Sequence, residues 1–225
     1  MILFVSGTDT AVGKTVLSAA LCRQALEQGR DVAYFKPVQT GLLEGEYGDR
    51  DYVEEASGVP AFEGERYAQP LAPSVAAQLE GRMVDVEALL KQAQDLVSTR
   101  DLLIVEGAGG LLVPFTQSVD MADFAGRLDA RVVLAVRPGL GTLNHSALSI
   151  EALRHRNLPL EGLVLCGWPE EPGTTERTNR EALAAMAPLV GYLPYLPDLD
   201  MEHPGQPTPP ELLEFKDGSI ELEIS

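Results

Sequence analysis

The nine residues from Gly7 to Thr15 have the composition of a phosphate-binding loop. They read Gly-Thr-Asp-Thr-Ala-Val-Gly-Lys-Thr and follow the apolar run at residues 2–6. In a Walker A loop, G-x-x-x-x-G-K-[S/T], backbone N–H groups surround the phosphates, the lysine reaches the terminal oxygens and the hydroxyl can ligate Mg²⁺. Gly13, Lys14 and Thr15 fit the end of this pattern, whereas its first glycine is displaced by one position. A strand before the loop and a helix after it favour nucleotide binding over a tight turn.

Two further charged residues stand at the ends of apolar runs. Glu106 ends the run at residues 102–106 and precedes Gly-Ala-Gly-Gly, and Lys36 follows the run at residues 32–35. Because ligands bind at the carboxyl ends of parallel strands, Glu106 is expected opposite Lys14, where a Walker B carboxylate holds Mg²⁺. Lys36 would add a second cation beside the phosphate loop. Position alone leaves a solvated glutamate and a surface lysine as alternatives.

Polar loops supply further candidate ligands. Asp49 and Asp51 follow Lys36, and either could complete a site of oxygen ligands for a hard cation. The sequence Gly-Leu-Gly-Thr-Leu-Asn-His at residues 139–145 begins a helical pattern, whose free N–H groups could hold a carboxylate. The three histidines and two cysteines lack metal-ligand spacing, so no zinc centre is expected.

The elements that position these residues alternate along the chain. Continuous apolar runs are typical of strands buried on both faces, and 3.6-residue periodicity predicts helices between them. This order predicts an α/β fold of the P-loop NTPase type: a doubly wound, mostly parallel sheet with helices on both faces. Between residues 40 and 67 only a short helical pattern, at residues 51–56, is predicted. The expected strands are residues 2–6, 32–35, 102–106, 131–136, 163–166 and 190–193, and the expected long helices are residues 15–28, 84–97, 143–156 and 175–186.

Length and composition predict one domain over residues 1–225, with a proline-rich acidic tail at about 197–225. Thirty-four Asp and Glu against seventeen Lys and Arg give a net charge of −17, which argues against nucleic acid and membrane surfaces as partners. The chain has no apolar run of transmembrane length and no signal-peptide pattern, so a cytoplasmic protein is expected. Cys22 and Cys166 are expected to be buried free thiols.

Four motifs resemble the dethiobiotin synthetase family, ATP-dependent enzymes of biotin synthesis. They are residues 7–15, 36–41, 105–111 and 140–145, in the order and spacing of that family. The combination is more specific than the phosphate loop, which many related proteins share. The resemblance implies Lys36 and Lys14 as catalytic lysines. It also implies a nucleotide-binding set of Thr10, Ala11, Val12, Gly13, Lys14, Thr15, Val16, Asp49, Glu106, Gly107, Ala108, Gly109, Cys166 and Gly167.

The resemblance also implies the metal and substrate contacts. Mg²⁺ would be held by Thr15, Glu106 and an aspartate, and Asp49 is preferred to Asp51 because Gly-Asp before a short helix resembles the family. Thr40 stands where a small hydroxyl residue contacts the diamine substrate. A turn resembles the family's carboxylate-binding helix start, which reaches across a homodimer interface. Its residues are Gly141, Thr142 and Asn144.

The implied reaction is an ATP-dependent cyclo-ligation. 7,8-Diaminononanoate captures CO₂, or bicarbonate as its source, and the ureido ring closes through a carbamic–phosphoric anhydride, releasing ADP and phosphate. Cys166 stands where the family often has an asparagine that reads adenine, so other nucleoside triphosphates are also expected to serve. The alternative is a deviant Walker-type ATPase of the partitioning or regulatory kind. Those ATPases have a signature lysine at the start of the loop, where this chain has Ser6-Gly7-Thr8.

Overall fold

Strands and helices alternate along residues 1–196, which are the residues that the computed structural model describes. The predicted proline-rich tail at 197–225 lies outside them. The elements are β1 (Ile2–Gly7), α1 (Lys14–Glu27), β2 (Val32–Thr40), α2 (Asp49–Ser57), β3 (Ala61–Tyr67), α3 (Pro73–Leu79), α4 (Val86–Val97), β4 (Leu102–Gly110), α5 (Met121–Arg127), β5 (Arg131–Val136), α6 (Thr142–His155), β6 (Leu160–Trp168), α7 (Thr174–Met186) and β7 (Leu189–Pro194).

The strands form one seven-stranded sheet in the order β3-β2-β4-β1-β5-β6-β7. Every pairing between them is parallel. The chain runs from central β1 outward to β3, returns to place β4 beside β1, and then builds the other half of the sheet. Ligands bind at such a reversal, at the carboxyl ends of the central strands. The predicted α/β fold is confirmed, and the described sheet is entirely parallel.

The core lies on both faces of the sheet, which is why its strands are apolar without alternation. In β1, Leu3 and Val5 pack into the cluster that includes α1 and α2. Ile2 and Phe4 pack into the opposite cluster, which includes α4, α5 and α6. Successive side chains of a strand point to opposite faces, so each face of β1 is covered by helices. Burial of one such side chain stabilises the fold by about 1.5–3 kcal/mol.

Three elements were not predicted from the sequence. β3 is an edge strand with the polar sequence Ala-Phe-Glu-Gly-Glu-Arg-Tyr, and most of its residues are half-buried. A search for continuous apolar runs therefore overlooks it. Helices α3 and α5 have seven residues each, too few for periodicity to be visible. The short helix predicted at residues 51–56 is α2, which begins two residues earlier, at Asp49.

Two simpler expectations also concern the described residues. Cys22 and Cys166 are both buried free thiols, as predicted. Within residues 1–196, no helix combines the length and the hydropathy needed to cross a membrane.

Candidate active site

The phosphate loop connects β1 to α1 and depends on Gly13. Its φ of 99° lies in the left-handed region, which favours glycine. A Cβ at Gly13 would also lie 2.9 Å from the Cβ of Cys166, so the loop and β6 approach too closely for a side chain. Lys14 and Thr15 then begin α1, and both are buried. The positive end of a fourteen-residue helix thus faces the carboxyl edge of the sheet.

The tip of the loop is held by side chains from within and outside it. Asp9 accepts the backbone N–H of Thr10 through Oδ1 at 2.8 Å and pairs with Arg137 through Oδ2 at 2.9 Å. Arg137 also donates to the Thr10 carbonyl at 3.0 Å. Lys14 Nζ donates to the Asp9 carbonyl at 3.2 Å. A Cβ on Gly109 would lie 3.5 Å from the Thr10 hydroxyl, so the end of β4 approaches the same tip.

Glu106, the fifth of the nine residues of central β4, is 1 % exposed and accepts four side-chain hydrogen bonds. Its Oε1 accepts from Thr15 Oγ1 at 3.0 Å and from Lys36 Nζ at 2.7 Å. Its Oε2 accepts from Ser18 Oγ at 2.9 Å and from Tyr34 OH at 2.9 Å. A buried carboxylate needs this many partners, because an unpaired buried charge is costly. The solvated glutamate considered as an alternative does not occur.

Lys36, the fifth of the nine residues of β2, joins two carboxylates. It is 4 % exposed, and its Nζ lies 2.7 Å from Glu106 Oε1 and 2.5 Å from Asp49 Oδ2. Burial alone would lower the pKa of Lys36, but the charges of Asp49 and Glu106 outweigh it and raise the pKa above its usual value. Lys36 is therefore a buried cation at neutral pH, and the alternative of a surface lysine is wrong.

The same surroundings shift the pKa values of Lys14 and Tyr34. Burial, followed by the charge of Lys36, lowers the pKa of Lys14, and Glu106 and Asp49 only partly oppose this. Burial, followed by the charge of Glu106, raises the pKa of Tyr34, so its phenol stays a hydrogen-bond donor. Perturbed groups that cluster at the carboxyl edge of a parallel sheet are typical of a functional site.

Asp49 and Asp51 have different surroundings, although only one residue lies between them. Asp51 Oδ2 accepts the backbone N–H of Gly48 at 2.9 Å, which caps α2, and Oδ1 accepts from Arg50 Nε at 3.1 Å. Partial burial favours a higher pKa for Asp51, but the hydrogen bonds from Arg50 and Gly48 outweigh it and lower the pKa. Asp49 instead reaches Lys36. The geometry therefore places Asp49 at the site and Asp51 in the helix cap.

The oxygen atoms around Lys36 are of the type that Mg²⁺ prefers. Residues 1–196 contain no cluster of three His, Cys, Asp or Glu side chains suited to a metal. The site instead has the carboxylates of Asp49 and Glu106 and the hydroxyl of Thr15, which contacts Glu106 at 3.0 Å. Mg²⁺ is commonly bound by one or two carboxylates together with phosphate and water oxygens. This donor set fits a magnesium ion shared with a nucleotide.

A cleft of about 480 Å³ opens beside the phosphate loop. Gly13, Cys166 and Gly167 line it, together with the end of β7. Cys166 is buried, its thiol lies 3.7 Å from the Val164 carbonyl, and burial raises its pKa to about 12. The thiol is therefore a poor hydrogen-bonding partner for a nucleobase in the cleft. The remaining lining residues are Ala11, Val12, Val16, Arg137, Pro138, Gly139, Leu140, Leu193, Pro194, Tyr195 and Leu196.

A second groove, of about 410 Å³, runs along the other side of the loop. It is bounded by residues 7–10 of the loop, by residues 110–114 after β4 and by α6, which contributes His145 and Leu148. Leu112 and Leu148 are both largely exposed there. An apolar groove of this kind suits an aliphatic ligand more than a charged one.

The remaining predicted residues lie in β2, in β4 and around the start of α6. Gly107 packs against Phe4, and Ala108 follows it toward Gly109 at the end of β4. Thr40 is the last residue of β2 and half-buried. Gly141, with a φ of 92°, precedes α6, where Thr142 is buried and Asn144 exposed. Within residues 1–196, Thr142 Oγ1 has no hydrogen-bond partner.

Sequence reasoning overlooked Ser18, Tyr34 and Arg137. Ser18 lies three residues after Thr15 in α1, and Tyr34 two residues before Lys36 in β2, so each shares a face with a predicted residue. Those spacings are the signal that could have identified them. Arg137 contacts the loop from the end of β5, and nothing near it in sequence points to that contact.

The fold and this site define a P-loop nucleotide-binding protein. A family model described as "AAA domain" matches residues 2–203. The chain also resembles the septum site-determining protein MinD of Pyrococcus horikoshii OT3, solved with Mg-ADP, at a TM-score of 0.57, 15% identity and coverage of 88% of this chain and 84% of that one. A ParA family ATPase from Chlorobium tepidum TLS gives a TM-score of 0.56, 13% identity and coverage of 88% and 85%. Identities this low show the fold alone.

More similar relatives identify the family. A protein of Mycobacterium avium (strain 104) is 48% identical over 198 residues, which are 86% of this chain and 86% of that protein. One from Rhodococcus erythropolis is 45% identical over 199 residues, covering 86% and 88%. One from Anaeromyxobacter dehalogenans is 41% identical over 203 residues, covering 88% and 91%. Each is named ATP-dependent dethiobiotin synthetase BioD. The chain belongs to the dethiobiotin synthetase family, as its motifs predicted.

Proposed function

We propose that this chain is an ATP-dependent cyclo-ligase of biotin biosynthesis that forms dethiobiotin from 7,8-diaminononanoate and CO₂. Family membership supports the reaction class. The observation that carries the proposal is Lys36, a buried cation bonded to Glu106 and Asp49 beside the phosphate loop. The partitioning-type alternative has only the fold in its favour, at 15% identity or less for the two solved structures named above.

The chemistry proceeds in three bond-forming steps. One amine of the substrate adds to CO₂ and loses a proton, giving a carbamate. A carbamate oxygen then attacks the γ-phosphorus of ATP, and ADP leaves. The second amine attacks the carbonyl carbon of the carbamic–phosphoric anhydride, loses a proton and expels phosphate together with the bridging oxygen. The product is a cyclic urea, and no protein nucleophile is needed.

The protein's part in this scheme is to position the reactants and to balance negative charge. The backbone of residues 11–16 would surround the triphosphate, with Lys14 on its terminal oxygens. Lys36 would contact the carbamate and the transferred phosphoryl group as a second cation. Thr15, Glu106 and Asp49 would hold Mg²⁺, which when bound would neutralise charge on the phosphates.

An apolar groove and the start of α6 suggest where the remaining parts of the substrate lie. The groove that Leu112 and Leu148 line runs next to residues 7–10 of the loop, which suits the methylene chain of the substrate. The exposed Gly141 and Asn144 at the start of α6 are available to a neighbouring subunit and could hold the substrate carboxylate across a homodimer interface. The chain has a mass of 24.2 kDa, so sedimentation analysis should then give a species of twice that mass. The cytoplasm remains the expected location.

The nucleoside is expected to be poorly discriminated. Reading an adenine edge requires a donor and an acceptor, which an asparagine has and a thiol lacks. Cys166 is buried near its own strand's carbonyl, and the rest of the 480 Å³ cleft is mainly apolar. Turnover with ATP, GTP and CTP should therefore differ by less than about tenfold, whereas strict ATP preference would contradict this part of the proposal.

The deciding experiment measures phosphate release from Mg-ATP and bicarbonate, with and without 7,8-diaminononanoate. The proposal requires release that depends on the diamine, and mass spectrometry should detect one cyclic urea for each phosphate. Omission of bicarbonate, with dissolved CO₂ removed, is the control and should abolish both products. Phosphate release that is indifferent to the diamine would instead favour the partitioning or regulatory class.

A further inference from the structure

The four donors of Glu106 are divided between its two oxygens. Oε1 is held by Thr15 and Lys36, residues that the proposed function assigns to metal and phosphate. Oε2 is held by Ser18 and Tyr34, which have no assigned role. One oxygen therefore faces the reaction centre, and the other faces a pair of buried hydroxyl groups.

This division follows from the two elements that flank β4. Helix α1 supplies Thr15 and Ser18, three residues apart on one face. Strand β2 pairs with β4 and supplies Tyr34 and Lys36, two residues apart on one face. Each element thus gives one donor to each oxygen of Glu106. Tyr34 and Ser18 are both fully buried, so no bulk solvent reaches the Oε2 side.

We propose that Tyr34, assisted by Ser18, is a positioning residue that fixes the orientation of the Glu106 carboxylate and presents Oε1 to the metal and to Lys36. Two donors saturate Oε2 and prevent the carboxylate from rotating about its terminal bond. This inference rests on the proposed function, in which Glu106 is a ligand of Mg²⁺.

The physical basis is the weak intrinsic preference of a glutamate carboxylate for one orientation. A glutamate side chain has a broad torsion at its terminal bond, so packing alone orients it poorly. Hydrogen bonds from neighbouring groups orient metal ligands, and their loss typically costs about 10–100-fold in metal affinity or activity. Without the Tyr34 hydroxyl, Oε2 keeps one donor, and Glu106 can turn away from the position that Thr15 and Lys36 define.

The test compares Tyr34→Phe with a matched control, Tyr67→Phe. Phenylalanine retains the ring in the core and removes only the hydroxyl in both variants. Tyr67 is also fully buried and also donates to a carboxylate, that of Glu65, but it lies on edge strand β3. Ser18→Ala removes the second Oε2 donor, and Glu106→Gln serves as the reference for loss of the ligand itself.

Metal binding is measured with Mn²⁺ by electron paramagnetic resonance, with a non-hydrolysable ATP analogue present. Tyr34→Phe should weaken Mn²⁺ binding about 10-fold and raise the Mg²⁺ concentration needed for half-maximal turnover. Ser18→Ala should act in the same direction, and the double variant should approach Glu106→Gln. Tyr67→Phe should stay within about twofold of the unsubstituted protein in metal binding, whatever its thermal midpoint.

Two results would overturn the inference, and only the second would also overturn the assignment of Glu106 as a metal ligand. If Glu106→Gln loses Mn²⁺ binding but Tyr34→Phe and Ser18→Ala do not, Tyr34 is merely a packing residue and the proposed function stands. If Glu106→Gln binds Mn²⁺ normally, the assignment of Glu106 as a metal ligand fails together with the inference. Diamine-dependent phosphate release by the unsubstituted protein tests the reaction separately.

Discussion

Individual residues at this site have their roles because of the groups around them. Lys36 and Lys14 are both buried lysines, yet the pKa of the first is raised and that of the second is lowered. Lys36 is held by two carboxylates at 2.5 and 2.7 Å, whereas Lys14 donates to a backbone carbonyl. Lys14 is therefore the cation still in need of an anionic partner, which suits a residue that binds phosphate.

Lys36→Ala should reduce turnover by about 10²–10³-fold, the usual cost of losing one group that stabilises transition-state charge. Nucleotide binding should be mostly retained, because Lys14 and the loop backbone remain. Steady-state kinetics and binding of a fluorescent ATP analogue check the two effects, and thermal unfolding verifies that the variant folds. Lys91→Ala, at an exposed lysine paired with Asp95, is the control. Turnover close to normal in Lys36→Ala would refute its role.

Alanine substitutions at Asp49 and Asp51 should have separate effects. Asp49→Ala should abolish Mg²⁺-dependent turnover, because Asp49 is the carboxylate at Lys36. Asp51→Ala should retain turnover and lower the free energy of unfolding by about 1 kcal/mol through loss of the α2 cap. Loss of turnover at Asp51 alone would reverse this assignment.

The destabilisation by Asp51→Ala should also depend on pH. The folded pKa of Asp51 lies below its unfolded value of 3.8, so the ionised carboxylate stabilises the fold above that pH. This contribution disappears as the pH falls through the lowered folded pKa. Denaturant unfolding at several pH values should thus give the full difference between variant and parent at neutral pH and little difference in strong acid. A difference that grows on acidification would contradict the assignment.

Among the elements, edge strand β3 holds in place a segment that carries a residue of the site. Arg66 of β3 pairs with Glu63 through Nε at 2.7 Å and Nη2 at 2.9 Å. Its Nη1 donates to the carbonyls of Leu43 at 2.9 Å and Glu46 at 2.7 Å. The guanidinium thereby holds the loop that leads into α2 and Asp49. Strand β3 thus anchors the segment that presents one of the carboxylates of the site.

Arg66→Ala should release this loop. Amide hydrogen exchange should become faster in residues 41–48, and the Mg²⁺ concentration for half-maximal turnover should rise more than kcat falls. Arg82→Ala is the matched control, since Arg82 donates to Glu65 and to the Arg66 carbonyl of the same strand and thus keeps the Arg66 guanidinium intact. If exchange in residues 41–48 is equally fast in both variants, the loop does not depend on Arg66.

The protein as a whole is acidic, whereas the site balances two lysines against two carboxylates. The net charge is −17, and the start of α1 adds the positive end of its dipole beside Lys14 at one edge of the sheet. Self-repulsion destabilises a compact state of high net charge, and salt screens it. The thermal midpoint should therefore rise as NaCl increases from about 10 to 200 mM. A midpoint that falls with salt would mean that ion pairs outweigh the repulsion.

The amino-acid sequence was sufficient to locate the central strands, the phosphate loop, Lys36 and Glu106. The loop motif is contiguous, and central strands are apolar on both faces, so their signals are local. A charged residue at the end of such an apolar run is expected toward the carboxyl edge of the sheet, and β2 and β4 continue for four residues beyond Lys36 and Glu106. The family also followed from motifs of this local kind.

The side chains that meet at that edge became known from the folded structure. Tyr34 and Ser18 contact Glu106 across seventy or more positions, and both are residue types with ordinary uses elsewhere. Helix α2 begins at Asp49, so Asp51 is its third residue. The Asp51 carboxylate therefore caps the helix, whereas the Asp49 carboxylate reaches Lys36. The polar strand β3 forms because β2 provides a pairing edge, not because its own residues are apolar. These outcomes depend on contacts between distant segments, which no local pattern encodes.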